Sequence, residues 1–239
     1  MTAPEPISGT YRFAMSVCSP IIGAWGRLEA VGLEHLPRSG PTLLVGNHGS
    51  YWDPVAIGVA GRGRRQIRAL AKSTLWRIRP LAPILNGMGQ VPIERGAGDV
   101  AALDEAIRQL RGGACIGVFP EGTTTRGRTL RARSGVGRLA LEAPEARLVC
   151  VAVSGTVTIA RFPERPRIRV EFFEPASGQA RAGESPADIS VRLLAEIRER
   201  TPIAISGRRR TAEKRRRAAE DAARDEAERS GGAEAALGP

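Results

Sequence analysis

Thr42-Leu43-Leu44-Val45, then Gly46-Asn47-His48-Gly49-Ser50-Tyr51-Trp52-Asp53-Pro54, is the stretch from which the fold is read. The first four residues form a short apolar run that reads as a strand. Gly49 and Ser50 supply turn chemistry, and Asp53 followed by Pro54 reads as a helix N-cap with proline at the first helical position. His48, one of two histidines in 239 residues, therefore falls on the loop after a strand, with a carboxylate at the mouth of the next helix. Residues five apart on a helix point roughly 140° away from each other, so His48 and Asp53 can meet only across a turn. A base and its orienter fit that arrangement. On this stretch alone, an Asp that caps a helix beside a His that ends a strand remains an equal reading.

Moving outward, the helix opened by Asp53 should end near Gly61, where Gly61-Arg62-Gly63 breaks it. A second strand is expected over Ile67–Ala71, ending at Lys72, followed by a short helical or looped piece over Thr74–Ile78. Gly89–Arg95 reads as a short strand that its proline keeps at an edge or ends early. Asp99 to Arg111 has the spacing of an amphipathic helix, with Val100, Leu103, Ile107 and Leu110 inward and Gly112-Gly113 as its stop. Ala114–Phe119 and Leu148–Val153 are continuous apolar strands of the kind covered on both faces, with a helix between them over Gly135 to Glu142. Arg167–Phe173 alternates charged and apolar residues, as an antiparallel or edge strand does, and Ile189 to Arg200 reads as a helix with Val191, Leu194 and Ile197 inward. Alternating strands and helices predict an α/β fold, a mainly parallel central sheet flanked by helices, with ligands at the carboxyl ends of the strands.

Three segments follow from composition. Residues 1–30 carry an apolar or amphipathic stretch, Phe13 to Trp25, too short to span a bilayer and suited to a core-packed helix or one lying at a membrane interface. Residues 31–206 hold the alternating pattern. Residues 207–239 are an Arg/Glu/Ala-rich tail, helical or disordered, with almost nothing large and apolar to bury. The net charge is +11, of which the tail supplies only +2, so the basic character belongs to the folded part and predicts anionic partners. Without an aromatic platform or base-reading motif, nucleic acid is the least favoured of them. Cys18, Cys115 and Cys150 are widely spaced and form neither a disulfide framework nor a zinc site; Cys115 and Cys150 read as core residues and the compartment as reducing.

Two strand ends carry chemistry, Asn47-His48 after one and Glu121-Gly122-Thr123 after another. Asn47–Asp53 resembles the N-H-x4-D block of the lysophospholipid and glycerol-3-phosphate acyltransferase family of the bacterial PlsC type. Phe119-Pro120-Glu121-Gly122-Thr123 resembles its F-P-E-G-T block. Gly89–Arg95, with Ala71-Lys72 ahead of it, is similar to the stretch around the family's G-x-I-P-V-x-R block, and Val151–Gly155 resembles a weaker fourth block. The likeness covers residues from about 31 to 175. One position departs: where the family has arginine directly after E-G-T, this chain has Thr124, and the nearest cation is Arg126.

The resemblance implies a glycerol-3-phosphate acyltransferase-like fold and an O-acyltransferase that moves a fatty acyl group from an acyl thioester, acyl-CoA or acyl-carrier protein, to a lysophosphatidic acid-like glycerophosphate. It implies His48 as general base with Asp53 orienting it, and Arg95, Glu121, Gly122, Thr123, Arg126 and Lys72 on the acceptor. It implies no cofactor and no metal, and a peripheral or monotopic place on the cytoplasmic face of the cell membrane. Ser50 reads as a turn residue, since the acceptor hydroxyl can attack the thioester without a serine intermediate. Thr124 keeps open a non-glycerophosphate alcohol or amine as acceptor, and a His-Asp pair that activates water would make a thioester hydrolase.

Overall fold

The computed structural model describes residues 6–94, 99–160, 163, 165–181 and 183–201. These all fall in one compact unit, 1–204, whereas the unit 205–239, and with it the charged tail, lies outside them. Seven strands form one sheet: β1 (Glu29–Val31), β2 (Thr42–Gly46), β3 (Ile67–Lys72), β4 (Val91–Ile93), β5 (Cys115–Val118), β6 (Arg147–Ser154) and β7 (Arg169–Phe173). Their order is β1-β7-β6-β2-β5-β3-β4, and every neighbouring pair is parallel except β6 with β7. The helices are α1 (Gly9–Ser19, continued by a wide turn over Pro20–Trp25), α2 (Asp53–Gly61), α3 (Ala82–Gly87), α4 (Val100–Arg111), α5 (Gly135–Glu142) and α6 (Pro186–Arg200).

The apolar runs of the central strands are continuous because both sheet faces are covered. Side chains alternate faces along a strand. Leu43, Val45, Ile116, Leu148, Cys150 and Ala152 pack in one core with residues of α4, α5 and α6. Leu44, Cys115, Val149, Val151 and Val153 pack in the other with residues of α1 and α2. Cys115 and Cys150 are thus core residues, as their apolar settings indicate, and the three thiols are free.

At the amino ends of β2 and β5, Arg65 is wholly buried. Its Nη1 donates to the Thr42 hydroxyl at 3.1 Å and the Pro37 carbonyl at 3.3 Å, and its Nη2 to the carbonyls of Gly40 and Gly113. One guanidinium thereby satisfies the turn carbonyls that lead into two neighbouring strands, groups that would otherwise be costly to bury.

Several expectations need correction. Asp53 is the first residue of α2 and not its cap; Trp52 holds that position, and the Asp53 carboxylate turns back toward the preceding loop. In α6, which starts three residues earlier at Pro186 behind a Ser185 cap, Val191 faces solvent. The buried stripe runs through Ile189, Leu193, Leu194 and Ile197, where the spacing of three and four converges. Val100, in the first turn of α4, is also exposed, while Ala102, Ala106, Ile107 and Leu110 face the core. The alternating β7, read as an antiparallel or edge strand, is the antiparallel one: it pairs with β6 in that sense, and β1 lies outside it.

Candidate active site

β2 and β5 end side by side, and the residues that follow them form one polar cluster. Asn47 sets the geometry. Its side-chain amide donates to the Val153 carbonyl at 2.8 Å and accepts from the Val153 N–H at 2.8 Å, so it takes the place of backbone and extends the β2–β6 pairing by one position. The chain then turns away, and His48 is held on all sides. Its N–H donates to Glu121 Oε2 at 3.2 Å, its carbonyl accepts from the Thr125 N–H at 2.7 Å, and its ring stacks on Phe119 with centroids 4.4 Å apart and planes 17° from parallel.

His48 Nδ1 lies 3.4 Å from Asp53 Oδ2, across the turn that the five-residue spacing requires. That is the loose end of the hydrogen-bond range, common for catalytic pairs without substrate. His48 is 3% exposed and Asp53 1%. Asp53 Oδ2 also accepts from the Ser50 N–H at 2.7 Å, and Oδ1 accepts from the Thr156 hydroxyl. The carboxylate sits in the first turn of α2, where the aligned peptide dipoles favour a negative charge. The Ser50 hydroxyl accepts from the Trp52 N–H, which is the turn role read for it. Thr156 reaches Asp53 because Gly155 takes φ +84; a Cβ there would stand 1.9 Å from the Arg167 carbonyl oxygen.

Glu121 is buried at the end of β5. Burial pushes its carboxyl from 4.5 up to about 7; the Arg198 guanidinium, with Nη2 3.8 Å from Oε1, and the hydrogen bond from His48 oppose the rise. Arg198, on α6, also donates to the Leu130 carbonyl at 2.6 Å and so straps the loop after β5.

His48 stands at the wall of a cavity of about 590 Å³, a size that suits one small-molecule or lipid-chain ligand. Tyr11 and Met15 of α1, Ile57 and Gly58 of α2, Leu85 and Met88 form much of its apolar lining. Gly122, Thr123 and Lys72 line it too, so four of the residues implied by the resemblance, His48 included, meet there. Asp53 and Glu121 stand behind His48. Arg126 does not line it; with φ +50 it donates to the Tyr51 hydroxyl at 2.6 Å and lies over the Tyr51 ring. Arg95 lies outside the described residues.

A buried histidine and carboxylate behind a large apolar cavity, on the carboxyl ends of a parallel sheet, narrow the comparison with known proteins. Residues 27–160 match the family model described as Acyltransferase. The chain belongs to the acyltransferase family. The acyltransferase is 24% identical over 169 residues to the 1-acyl-sn-glycerol-3-phosphate acyltransferase of Bacillus subtilis, which covers 71% of this chain and 74% of that one. It is 33% identical over 119 residues to the enzyme of the same name from Borreliella burgdorferi (48% and 47%), and 38% identical over 112 residues to the lyso-ornithine lipid O-acyltransferase of Pseudomonas aeruginosa (46% and 40%). The chain thus spans less than half the length of these last two. The crystal structure of the 1-acyl-sn-glycerophosphate (LPA) acyltransferase, PlsC, from Thermotoga maritima superposes with a TM-score of 0.59 at 20% identity, over 80% of each chain, and shows the same fold.

Four residues of the candidate site were not among those read from sequence. Phe119 was part of the F-P-E-G-T block but carried no visible role before His48 was found stacked on it. Thr156 had a signal, a glycine followed by a hydroxyl after an apolar strand. Arg198 and Arg133 had none, since only the fold brings α6 and the long loop after β5 to this end of the sheet.

Proposed function

We propose that the protein transfers a fatty acyl group from an acyl thioester, acyl-CoA or acyl-carrier protein, to the hydroxyl of a lysophosphatidic acid-like glycerophosphate in phospholipid synthesis. The observation that carries this reading is the buried His48–Asp53 pair at the wall of an apolar cavity whose only charged lining groups among the described residues are the cations Lys72 and Arg133. An acyl chain suits the apolar lining, and an anionic acceptor suits the cations. The names of the Bacillus and Borreliella relatives point the same way.

With Nδ1 engaged by Asp53, Nε2 of His48 is the nitrogen that takes the proton from the acceptor hydroxyl. The freed oxygen attacks the thioester carbonyl, forming the ester bond as the carbon–sulfur bond breaks. The thiolate leaves and recovers the proton from the imidazolium. Asp53 stabilises that imidazolium only while it exists, so its charge lowers the barrier and leaves substrate binding nearly unchanged. Thr156 and the Ser50 N–H hold the carboxylate in place for this role.

A second acceptor class is favoured by the 38% identity to a lyso-ornithine lipid acyltransferase, together with Thr124 in place of the expected arginine. One assay separates the readings. Purified protein is incubated with acyl-CoA and, separately, lysophosphatidic acid, lyso-ornithine lipid or monoacylglycerol, and free thiol and acylated lipid are both followed. Thiol release and product that depend on lysophosphatidic acid support the proposal. Product only with lyso-ornithine lipid replaces the acceptor, and thiol release without any acceptor makes the protein a thioester hydrolase.

Attachment to the cytoplasmic face of the membrane fits the outer side of α1. Phe13, Val17 and Ile21, four residues apart, are 64%, 59% and 42% exposed, while Tyr11 and Met15 on the inner side line the cavity. No helix among the described residues is long and apolar enough to cross a membrane. A surface helix with one face in lipid and the other on the acyl cavity would deliver substrate directly. Flotation with anionic vesicles at low salt is expected for the wild type and is expected to weaken in a Phe13→Ser, Ile21→Ser variant; a wild type that stays at the bottom of the gradient contradicts the assignment.

A further inference from the structure

We infer that Arg133 binds the anionic headgroup of the acyl acceptor and supplies the cation that Thr124 does not. The Gly122 backbone turns with φ +67, and a Cβ placed there would stand 2.7 Å from Arg133 Cδ and 2.8 Å from its Nε. The arginine stem therefore lies across the bare backbone of Gly122, two residues from the position where the chain has Thr124. The Arg133 N–H donates to the Pro120 carbonyl at 2.8 Å, which anchors its backbone to the same loop. Its side chain is exposed and lines the cavity that holds His48.

Two other cations near this loop have different engagements. Arg126 is held by Tyr51, and Arg198 lies by Glu121 and the Leu130 carbonyl. Thr124 is buried and carries no charge. The guanidinium of Arg133 makes no hydrogen bond or ion pair among the described residues, and no carboxylate lines the cavity with it. Among the described residues the one further charge there is Lys72, at the carboxyl end of β3, the strand beside β5. A planar fork over the Gly122 loop and a point charge at the end of β3, both lining the cavity, suit the charge of a phosphate monoester.

The inference rests on the acyl-transfer reading above and deepens it to the acceptor's charge. Phosphate can also arrive on a CoA or phosphopantetheine donor, so the test varies both substrates. Steady-state transfer is measured for the wild type, Arg133→Ala and Arg133→Lys with acyl-CoA, using lysophosphatidic acid and the uncharged monoacylglycerol as acceptors. The expected result is a rise of about 10- to 100-fold in KM for lysophosphatidic acid in Arg133→Ala, the scale of a lost charge-assisted contact. Arg133→Lys should recover most of it, and KM for acyl-CoA and the rate with monoacylglycerol should stay near wild type. Unchanged KM for lysophosphatidic acid in Arg133→Ala overturns the inference and leaves the acyltransferase reading intact. A rise in donor KM assigns the arginine to CoA and also overturns it. Equal losses with both acceptors make Arg133 a strap for the Gly122 loop, the third contrary outcome. A wild type that forms no product from lysophosphatidic acid refutes the proposed acceptor itself, independently of either variant.

Discussion

Strands β2 and β5 lie side by side, and buried polar side chains close both ends of the pair in opposite ways. At the amino ends, Arg65 spends its donors on backbone carbonyls and one hydroxyl. At the carboxyl ends, His48, Asp53 and Glu121 are as deeply buried, but they are linked to one another, and His48 faces open space. A cation whose two terminal nitrogens are taken up by fixed carbonyls and a hydroxyl is committed to backbone, so it holds the strands together. An imidazole whose one nitrogen is engaged and whose ring reaches a cavity is set up for the proton transfer proposed for His48. The contrast teaches that burial of polar groups does not mark a site; the arrangement of their partners does.

The comparison is open to attack from either end, and the largest effect belongs to the carboxyl end. His48→Ala is expected to lower acceptor-dependent thiol release by about 10²- to 10⁴-fold, the usual range for a lost general base, with urea unfolding little altered. Turnover within about tenfold of wild type, which is below that range, would break the contrast. Arg65→Met should do the reverse. It leaves buried carbonyls without a donor and is expected to cost about 3 to 5 kcal/mol in urea unfolding, while kcat of the folded protein stays unchanged.

Smaller effects sharpen the carboxyl end. The folded-state pKa of Glu121 is raised from 4.5 to about 7, so the native protein keeps this proton after the unfolded chain has lost it. The stability of the protonated form is full below pH 4.5 and declines as pH rises toward 7. Wild type is therefore expected to lose ground to Glu121→Gln across that window by up to roughly 3 kcal/mol, read as unfolding free energies at both ends of it. A difference that does not change with pH contradicts the buried, uncharged setting. Thr156→Val removes one hydrogen bond to Asp53 and should lower kcat about 3- to 10-fold with KM retained, the kinetic equivalent of one such bond. A change in KM alone would mean that Thr156 meets substrate.

The parts of this design that were legible in sequence are those whose cause is local. β2, β5 and β6 announced themselves as apolar runs because both of their faces are covered. The His48–Asp53 turn was legible from its glycine, serine and proline, although the carboxylate's direction was not, since its partners Ser50 and Thr156 lie before the helix and 103 residues on. β1 has three residues, one charged, and exists as a strand only through its pairing with β7. Val191 and Val100 misled because one apolar residue at helical spacing looks the same whichever stripe it belongs to. Arg133 could not be read at all, because its place over Gly122 depends on the path of the whole loop after β5.

The central claim is that Asp53 acts through His48, and a double-mutant cycle on kcat tests it most directly. Asp53→Asn is expected to lower kcat by about 10²- to 10⁴-fold in the wild-type protein, as loss of a base's orienter does, and to cost almost nothing further once His48 is alanine. Losses that multiply in the double variant would show the two side chains working independently and would contradict the account.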